Sequence, residues 1–152
     1  MQRILSRNQG FLYILPALLF VFASLWKTTA RGQWLGGWTP AQLVLYLLVT
    51  ELVTMSPGWA HQAIAASVRS GDVAGDLLRP VHWVPMQLAR TLGNASARFL
   101  VLLASGGLAV LALTGAPRLD ARGVLALAVL LPMAVALDCC ARVLVGLLAF
   151  WF

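Results

Sequence analysis

Charged residues are scarce in this sequence of 152 residues. Only 11% are Asp, Glu, Lys or Arg, whereas soluble domains carry about 25%. Hydrophobic residues make up 61% of the chain, and a soluble globule of this size could not cover so much apolar surface. The composition therefore excludes an ordinary soluble domain, a disordered tail and a secreted disulfide scaffold, and it predicts an integral membrane protein.

Cysteine and lysine are almost absent. The two cysteines, Cys139 and Cys140, are adjacent, and no Cys/His cluster has metal-ligand spacing, so neither a disulfide nor a metal site is expected. Lys27 is the only lysine, and the sequence has no G-x-x-x-x-G-K-[ST], H-E-x-x-H or G-x-S-x-G motif. We therefore expect no catalytic residue, no metal and no cofactor bound by this chain, and any ATP must bind to another subunit.

The basic residues are spread along the sequence. The net charge is +6, but the arginines occur in ones and twos between long uncharged runs rather than on one basic face. This spacing argues against a nucleic-acid partner and is typical of charged loops that flank membrane spans.

Four apolar runs are long enough to cross a lipid bilayer, which requires about 20 mostly apolar residues. The first run exceeds the usual apolar core of a signal peptide, so a retained anchor is favoured over a cleaved leader. Thr39 and Pro40 predict the start of the second span, and the fourth is expected to be one long helix through Pro132. The sequence thus predicts an all-α integral membrane helical bundle, a single permease domain with spans at residues 8–27, 40–57, 98–117 and 122–152.

The orientation follows from the distribution of basic residues. An even number of spans places both termini on the same side, and cytoplasmic segments are enriched in Lys and Arg. A cytoplasmic N-terminus would place six basic residues inside and four outside, which favours that orientation in the inner (plasma) membrane of a bacterium. The inner set is Arg3, Arg7, Arg69, Arg79, Arg90 and Arg98, and the outer set is Lys27, Arg31, Arg118 and Arg122.

Three ionisable residues fall at membrane depth, where charge is costly and often functional. Asp138 and Arg142 are four residues apart, so we expect them to neutralise each other along one helix face. Glu51 has no local partner and requires a contact in the bundle or a water-filled path. A packing or partner role and a contact with substrate both remain open for Glu51.

Residues 58–97 form the most polar segment and are expected to lie on the cytoplasmic surface. Ser70 and Gly71 predict the end of one helix, and Asp72 can cap a short second helix that runs to Leu78 before Pro80. Its apolar residues are Val73, Leu77 and Leu78, and its polar residues are Asp72, Asp76 and Arg79. A long loop with its own helical pattern is usually functional.

At these residues the sequence resembles the membrane subunits of ABC-2 type exporters, in particular a six-span permease family with a G-x-(L/V)-x-x-x-L-L-R-P signature. The matching residues are Gly71, Val73, Leu77, Leu78, Arg79 and Pro80. The resemblance implies a cytoplasmic coupling helix between spans two and three that docks on a separate ATP-binding subunit. The residues expected to couple the two subunits are Gly71, Asp72, Val73, Asp76, Leu77, Leu78, Arg79 and Pro80.

The same resemblance implies a second permease chain, identical or a sister, with which this chain forms the translocation path. Relatives have two further spans, so we expect the sequence to be incomplete at its C-terminus. Two alternatives remain at this point. One is a small four-span transporter driven by protons, with Glu51 as the proton site, and the other is a truncated membrane protein without transport activity.

Overall fold

A computed structural model describes residues 2–29, 38–78, 82–115 and 120–151 of the chain. In these ranges the chain folds into α-helices, which confirms the predicted all-α class. In chain order the helices are α1 (Gln2–Thr29), α2 (Pro40–Met55), α3 (Ala60–Ser70), α4 (Val73–Leu77), α5 (Trp83–Thr114) and α6 (Ala121–Leu147), followed by a 3₁₀ turn at Leu148–Phe150.

Three helical segments are long and apolar enough to cross a membrane, and α1 contributes a shorter apolar helix. The long segments are Pro40–Ser70, Trp83–Thr114 and Ala121–Phe150, and the shorter one is Tyr13–Thr28. The described residues therefore form a membrane bundle of about four spans. As expected, α6 continues through Pro132 as a single helix.

The helix that contains the third predicted span begins earlier than the sequence indicated. It starts at Trp83, whereas the prediction assigned residues 58–97 to a polar connecting segment. Two features allow the earlier start. Pro85 lies in the first turn, where backbone N–H groups have no partner within the helix, and Arg90 and Asn94 are exposed while Ala95 is buried.

The chain passes through the bundle four times in alternating directions. Lys27, near the end of α1, donates a 2.8 Å hydrogen bond to the carbonyl oxygen of Leu113, near the end of α5, so these two helices run in the same direction. Along its length α6 contacts first the end of α2 and then α3, so these three helices run parallel to one another. Their direction is opposite to that of α1 and α5. Trp83 stacks edge-on against Phe150 at 5.6 Å, which brings the start of α5 and the end of the described chain to the same end of the bundle.

The largest buried cluster lies where α1, α2 and α5 meet, and a glycine allows their close approach. A Cβ atom at Gly106 of α5 would collide with the side chain of Leu48 and lie 3.0 Å from Cδ2 of Leu15. Gly107 has nothing within 4 Å of the corresponding position. Of these two adjacent glycines, Gly106 is therefore the one at the helix contact. The cluster consists of Leu15, Leu19, Ala23, Val44, Leu48, Leu52, Leu102, Val110 and Leu131.

The helix starts agree with the sequence in position but only partly in chemistry. The side chain of Thr39 accepts a hydrogen bond from the backbone N–H of Gln42, and the side chain of Gln42 accepts one from the backbone N–H of Thr39. This is the reciprocal capping box, with Pro40 in the first turn. Asp72 precedes α4 as expected, and Asp120 precedes α6, but neither side chain bonds to a helix N–H.

Candidate functional site

Helix α4 leaves the bundle through a left-handed turn. Gly71 has a φ of +79°, a conformation that glycine adopts without a steric penalty, and its N–H donates to the carbonyl oxygen of Val68. The carboxylate of Asp72 accepts a 2.7 Å hydrogen bond from the hydroxyl of Ser70. The bond explains why Asp72 does not cap α4, because its oxygen is directed back across the turn.

One face of α4 is anchored in the bundle by an apolar contact. Val73 is 5% exposed and packs with Ile64 of α3, Trp83 of α5 and Val143 of α6. Next to this cluster, Gly146 of α6 lies so close to α3 that an added Cβ would be 2.9 Å from Cβ of Ile64. Movement of α4 is therefore resisted by α3, α5 and α6 together.

An ion pair provides a second anchor for α4. Oδ2 of Asp76 accepts a 3.2 Å hydrogen bond from Nη1 of Arg90, which lies fourteen residues later in α5. The side chain of Asp76 is 18% exposed and that of Arg90 is 48% exposed. Exposed pairs contribute little to stability, about 0 to 1 kcal/mol, so this pair serves to fix the orientation of α4 relative to α5.

The C-terminal end of α4 exposes two apolar side chains. Leu77 is 60% exposed and Leu78, the residue that ends the helix, is 88% exposed. The structure thus divides the predicted coupling residues into two groups. Val73 and Asp76 hold the helix in place, while Leu77 and Leu78 are presented outward. Arg79 and Pro80 lie outside the described residues.

The turn between α2 and α3 is the second feature of the site, and it is fixed by α6. Arg142 donates hydrogen bonds to the carbonyl oxygens of Gly58 at 2.9 Å and Thr54 at 3.0 Å. Its Nε also bonds to Oδ2 of Asp138 at 2.7 Å, which confirms the expected pairing four residues apart on α6. Carbonyls at a helix C-terminus carry partial negative charge, so the guanidinium stabilises the end of α2.

Glu51 lies one turn before this end of α2, on a cleft of about 270 Å³. Its Oε2 is 3.4 Å from the hydroxyl of Thr54, a weak contact. The residues that line the cleft are Glu51, Thr54, Met55, Gly58, Trp59 and Arg142. The sequence shows no local partner for Glu51. In the structure its carboxylate lies on an open cleft rather than in a buried ion pair with another described residue.

The sequence analysis did not identify the residues that position these features. Trp83, Arg90 and Val143 hold α4, and no motif marks them. Arg90 was counted only as a loop charge, because its partner Asp76 is fourteen residues away and no helical spacing connects them.

A family model, described as ABC-2 family transporter protein, matches residues 11–152 of the chain. The chain belongs to the ABC-2 transporter family. The match includes all of the described helices from α2 onward and the polar segment that contains α4. No curated protein and no solved structure matches the chain.

Membership of the ABC-2 family gives the bundle its role. The protein is a multi-pass membrane component of a transporter, and the permeases of this family are generally not themselves catalytic. They usually work with an ATP-binding subunit.

Proposed function

We propose that this chain is the membrane-spanning permease subunit of an ATP-driven ABC-2 exporter and that α4 is its coupling helix. ATP binds to a separate subunit, which docks against Leu77 and Leu78 on the cytoplasmic side. The observation that supports this proposal is the contrast between the buried start of α4 at Val73 and its exposed end at Leu77 and Leu78. A short helix that is anchored in the bundle and exposes two leucines at its end is suited to bind a partner and transmit its movement.

Two contacts provide the route for that movement. Val73 packs against Ile64 and Val143, so a displacement of α4 pushes on α3 and α6. Asp76 is paired with Arg90, so the same displacement pulls on α5. Rigid-body rotation of packed helices about an interface is a common mode of conformational switching. In this scheme the bundle alternates between inward-open and outward-open states as the ATP-binding subunit closes and opens.

The proposed orientation and assembly complete this scheme. Arg69 and Arg90 lie on α3 and α5, at the end of the bundle where α4 is found, which favours a cytoplasmic location for that end under the positive-inside rule. We place the chain in the inner membrane with its N-terminus on the same cytoplasmic side. A second permease chain, identical or a sister, completes the translocation path. Membership of the ABC-2 family favours this ATP-driven function over a proton-driven secondary transporter.

The docking proposal is tested by co-purification of the chain with its ATP-binding subunit. Leu78→Glu places a charge on the most exposed residue of α4, and we expect it to abolish co-purification without reducing insertion into the membrane. Gln62→Glu is the matched control, because Gln62 is exposed on α3 and gains the same charge. Undiminished association of the Leu78→Glu chain would contradict the proposal, as would an equal loss in both variants.

A further inference from the structure

The cleft beside Glu51 combines one carboxylate, one guanidinium and one large exposed aromatic ring. It lies at the junction of α2 and α3, and Arg142 of α6 is among the residues that line it. Trp59 is 61% exposed, and its indole lies 6.1 Å from the ring of His61. Met55 adds a flexible apolar surface between Glu51 and Trp59.

The guanidinium of Arg142 is already paired with groups of the protein itself. Its Nε bonds to Asp138, and its Nη1 and Nη2 bond to the carbonyl oxygens of Gly58 and Thr54. Asp138 therefore balances the positive charge, and the two carbonyls hold the guanidinium in place. The guanidinium of Arg98 lies beside Gly58, because a Cβ atom added to Gly58 would collide with it. Arg98 is not among the residues that line the cleft.

Glu51 is the one acidic side chain among the residues that line the cleft. A carboxylate at this depth is costly unless a cationic group or water compensates it. An exposed indole attracts cations to its face, most strongly when they are partly desolvated. A carboxylate and an indole on one cleft are complementary to an ammonium group.

We propose that Glu51 and Trp59 bind the ammonium headgroup of an amphiphile, with Met55 against the first carbons of its apolar tail. The cleft has a volume of about 270 Å³, below the roughly 300 to 1,000 Å³ of pockets that enclose drug-sized ligands, so it would hold a headgroup and not a whole amphiphile. The tail then lies along the exposed apolar surfaces of the spans. The ammonium group belongs either to an amine lipid or to a free cationic amphiphile.

This inference deepens the proposed function, because it names the chemical class of a cargo or of a lipid that would reach the transporter from the bilayer. It rests on the proposed function only in the claim that the bound ligand reaches a transporter that can move it. Binding to the purified chain requires neither the ATP-binding subunit nor α4. Failure of docking through Leu78 and failure of binding at Glu51 are therefore separate results.

The test is a titration of the full chain, purified in dodecyl maltoside, with decyltrimethylammonium, followed by native mass spectrometry or calorimetry. We expect Glu51→Gln to weaken binding by about tenfold or more, the usual effect of losing a charge-assisted contact. Glu51→Asp keeps the charge and should restore part of the affinity. Trp59→Ala should weaken binding, and Trp59→Phe should weaken it less.

Two controls separate this effect from micelle partitioning and from misfolding. Asp120→Asn removes an exposed carboxylate outside the cleft and should leave the affinity unchanged. Decanol, which has the same chain without the charge, should bind the wild type and Glu51→Gln equally. The inference is overturned if Glu51→Gln, folded as judged by its circular dichroism, binds decyltrimethylammonium as tightly as the wild type.

Competition identifies the source of the ammonium group. Mixed micelles that contain phosphatidylethanolamine should displace the probe if an amine lipid is the natural ligand, whereas phosphatidylglycerol should not. Retention of the probe in the presence of both lipids assigns the site to a free cationic amphiphile. Both results support an ammonium site. Equal displacement by the two lipids would show that the headgroup is not recognised, which would overturn the proposal.

Discussion

Nη1 of Arg142 lies 2.9 Å from the carbonyl oxygen of Gly58, a residue 84 positions earlier in the chain. The contact joins α6 to the turn in which α2 ends and α3 begins. Gly58 has a φ of +60°, so the backbone there adopts a conformation that few other residues tolerate. Gly58 thus supplies the backbone conformation of the turn, and Arg142 holds the turn against α6. The turn separates α2 from α3, which would otherwise form one continuous helix.

Loss of Arg142 should destabilise the bundle. Arg142→Gln leaves the Asp138 carboxylate without its partner and removes hydrogen bonds to two carbonyls, which we expect to cost about 2 to 4 kcal/mol. The control is Arg122→Gln, because Arg122 is exposed on the same helix. Thermal unfolding in detergent measures the difference. Equal unfolding temperatures for the two variants would show that the arginine does not stabilise the turn.

Adjacent glycines on α5 should respond differently to the same substitution. Gly106→Ala introduces a methyl group against Leu48 and Leu15, and overpacking of this kind costs about 1 to 3 kcal/mol. Gly107→Ala adds the methyl group in open space, where alanine favours the helix by up to about 1 kcal/mol. Chemical unfolding of both variants provides the comparison. The assignment of the helix contact to Gly106 fails if Gly107→Ala is the more destabilising change.

The side chain of Thr39, which caps α2, should contribute more to stability than a threonine hydroxyl that bonds within its own helix. Thr39→Ala removes the side chain that accepts from the N–H of Gln42, and we expect a loss of about 1 kcal/mol. Thr28→Ala is the matched control, since its hydroxyl donates only to the carbonyl oxygen of Leu25 within the same helix and such bonds add little. Unfolding by denaturant distinguishes the two, and a larger loss in Thr28→Ala would contradict the capping role.

Arg90 should matter more for coupling than for stability. Arg90→Ala breaks an exposed ion pair, so the free energy of unfolding should change by less than about 1 kcal/mol. If α4 transmits movement to α5, the same variant should reduce the stimulation of ATP hydrolysis in the reconstituted complex while the partner still binds. Arg69→Ala, which removes an exposed arginine from α3, should leave stimulation intact. Full stimulation with Arg90→Ala would exclude the ion pair from the coupling route.

Local patterns in the sequence were sufficient for the class of the fold and for several helix ends. Thr39 and Pro40 start α2 as predicted, Gly71 ends α3, and a short helix follows it, because caps, prolines and glycines act on neighbouring residues. Helix α5 begins at Trp83, well before the predicted span at residues 98–117. Charges such as Arg90 argue against a membrane span there, but a helix continues through polar residues when they share an exposed face.

The geometry of the candidate site could be predicted only in part. The pairing of Asp138 with Arg142 follows from their spacing on one helix, but the contacts of Arg142 with Thr54 and Gly58 depend on how α6 packs against α2. The contrast between the two ends of α4 was equally hidden. The sequence groups Val73 with Leu77 and Leu78 as apolar residues, whereas tertiary packing buries the first and exposes the other two.

Helix α5 is longer than the membrane is thick. Its 32 residues extend for about 48 Å at 1.5 Å per residue, whereas the hydrocarbon core measures about 30 Å. Typical tilts of about 20° shorten the projected length only slightly, so roughly a third of the helix extends beyond the hydrocarbon. In the proposed orientation Arg90 falls in that portion, so its ion pair with Asp76 attaches α4 to a rigid helix whose remainder lies in the bilayer. Under the proposed coupling role, a rigid α5 would carry a small displacement at Arg90 towards Gly106 without any bending of the chain.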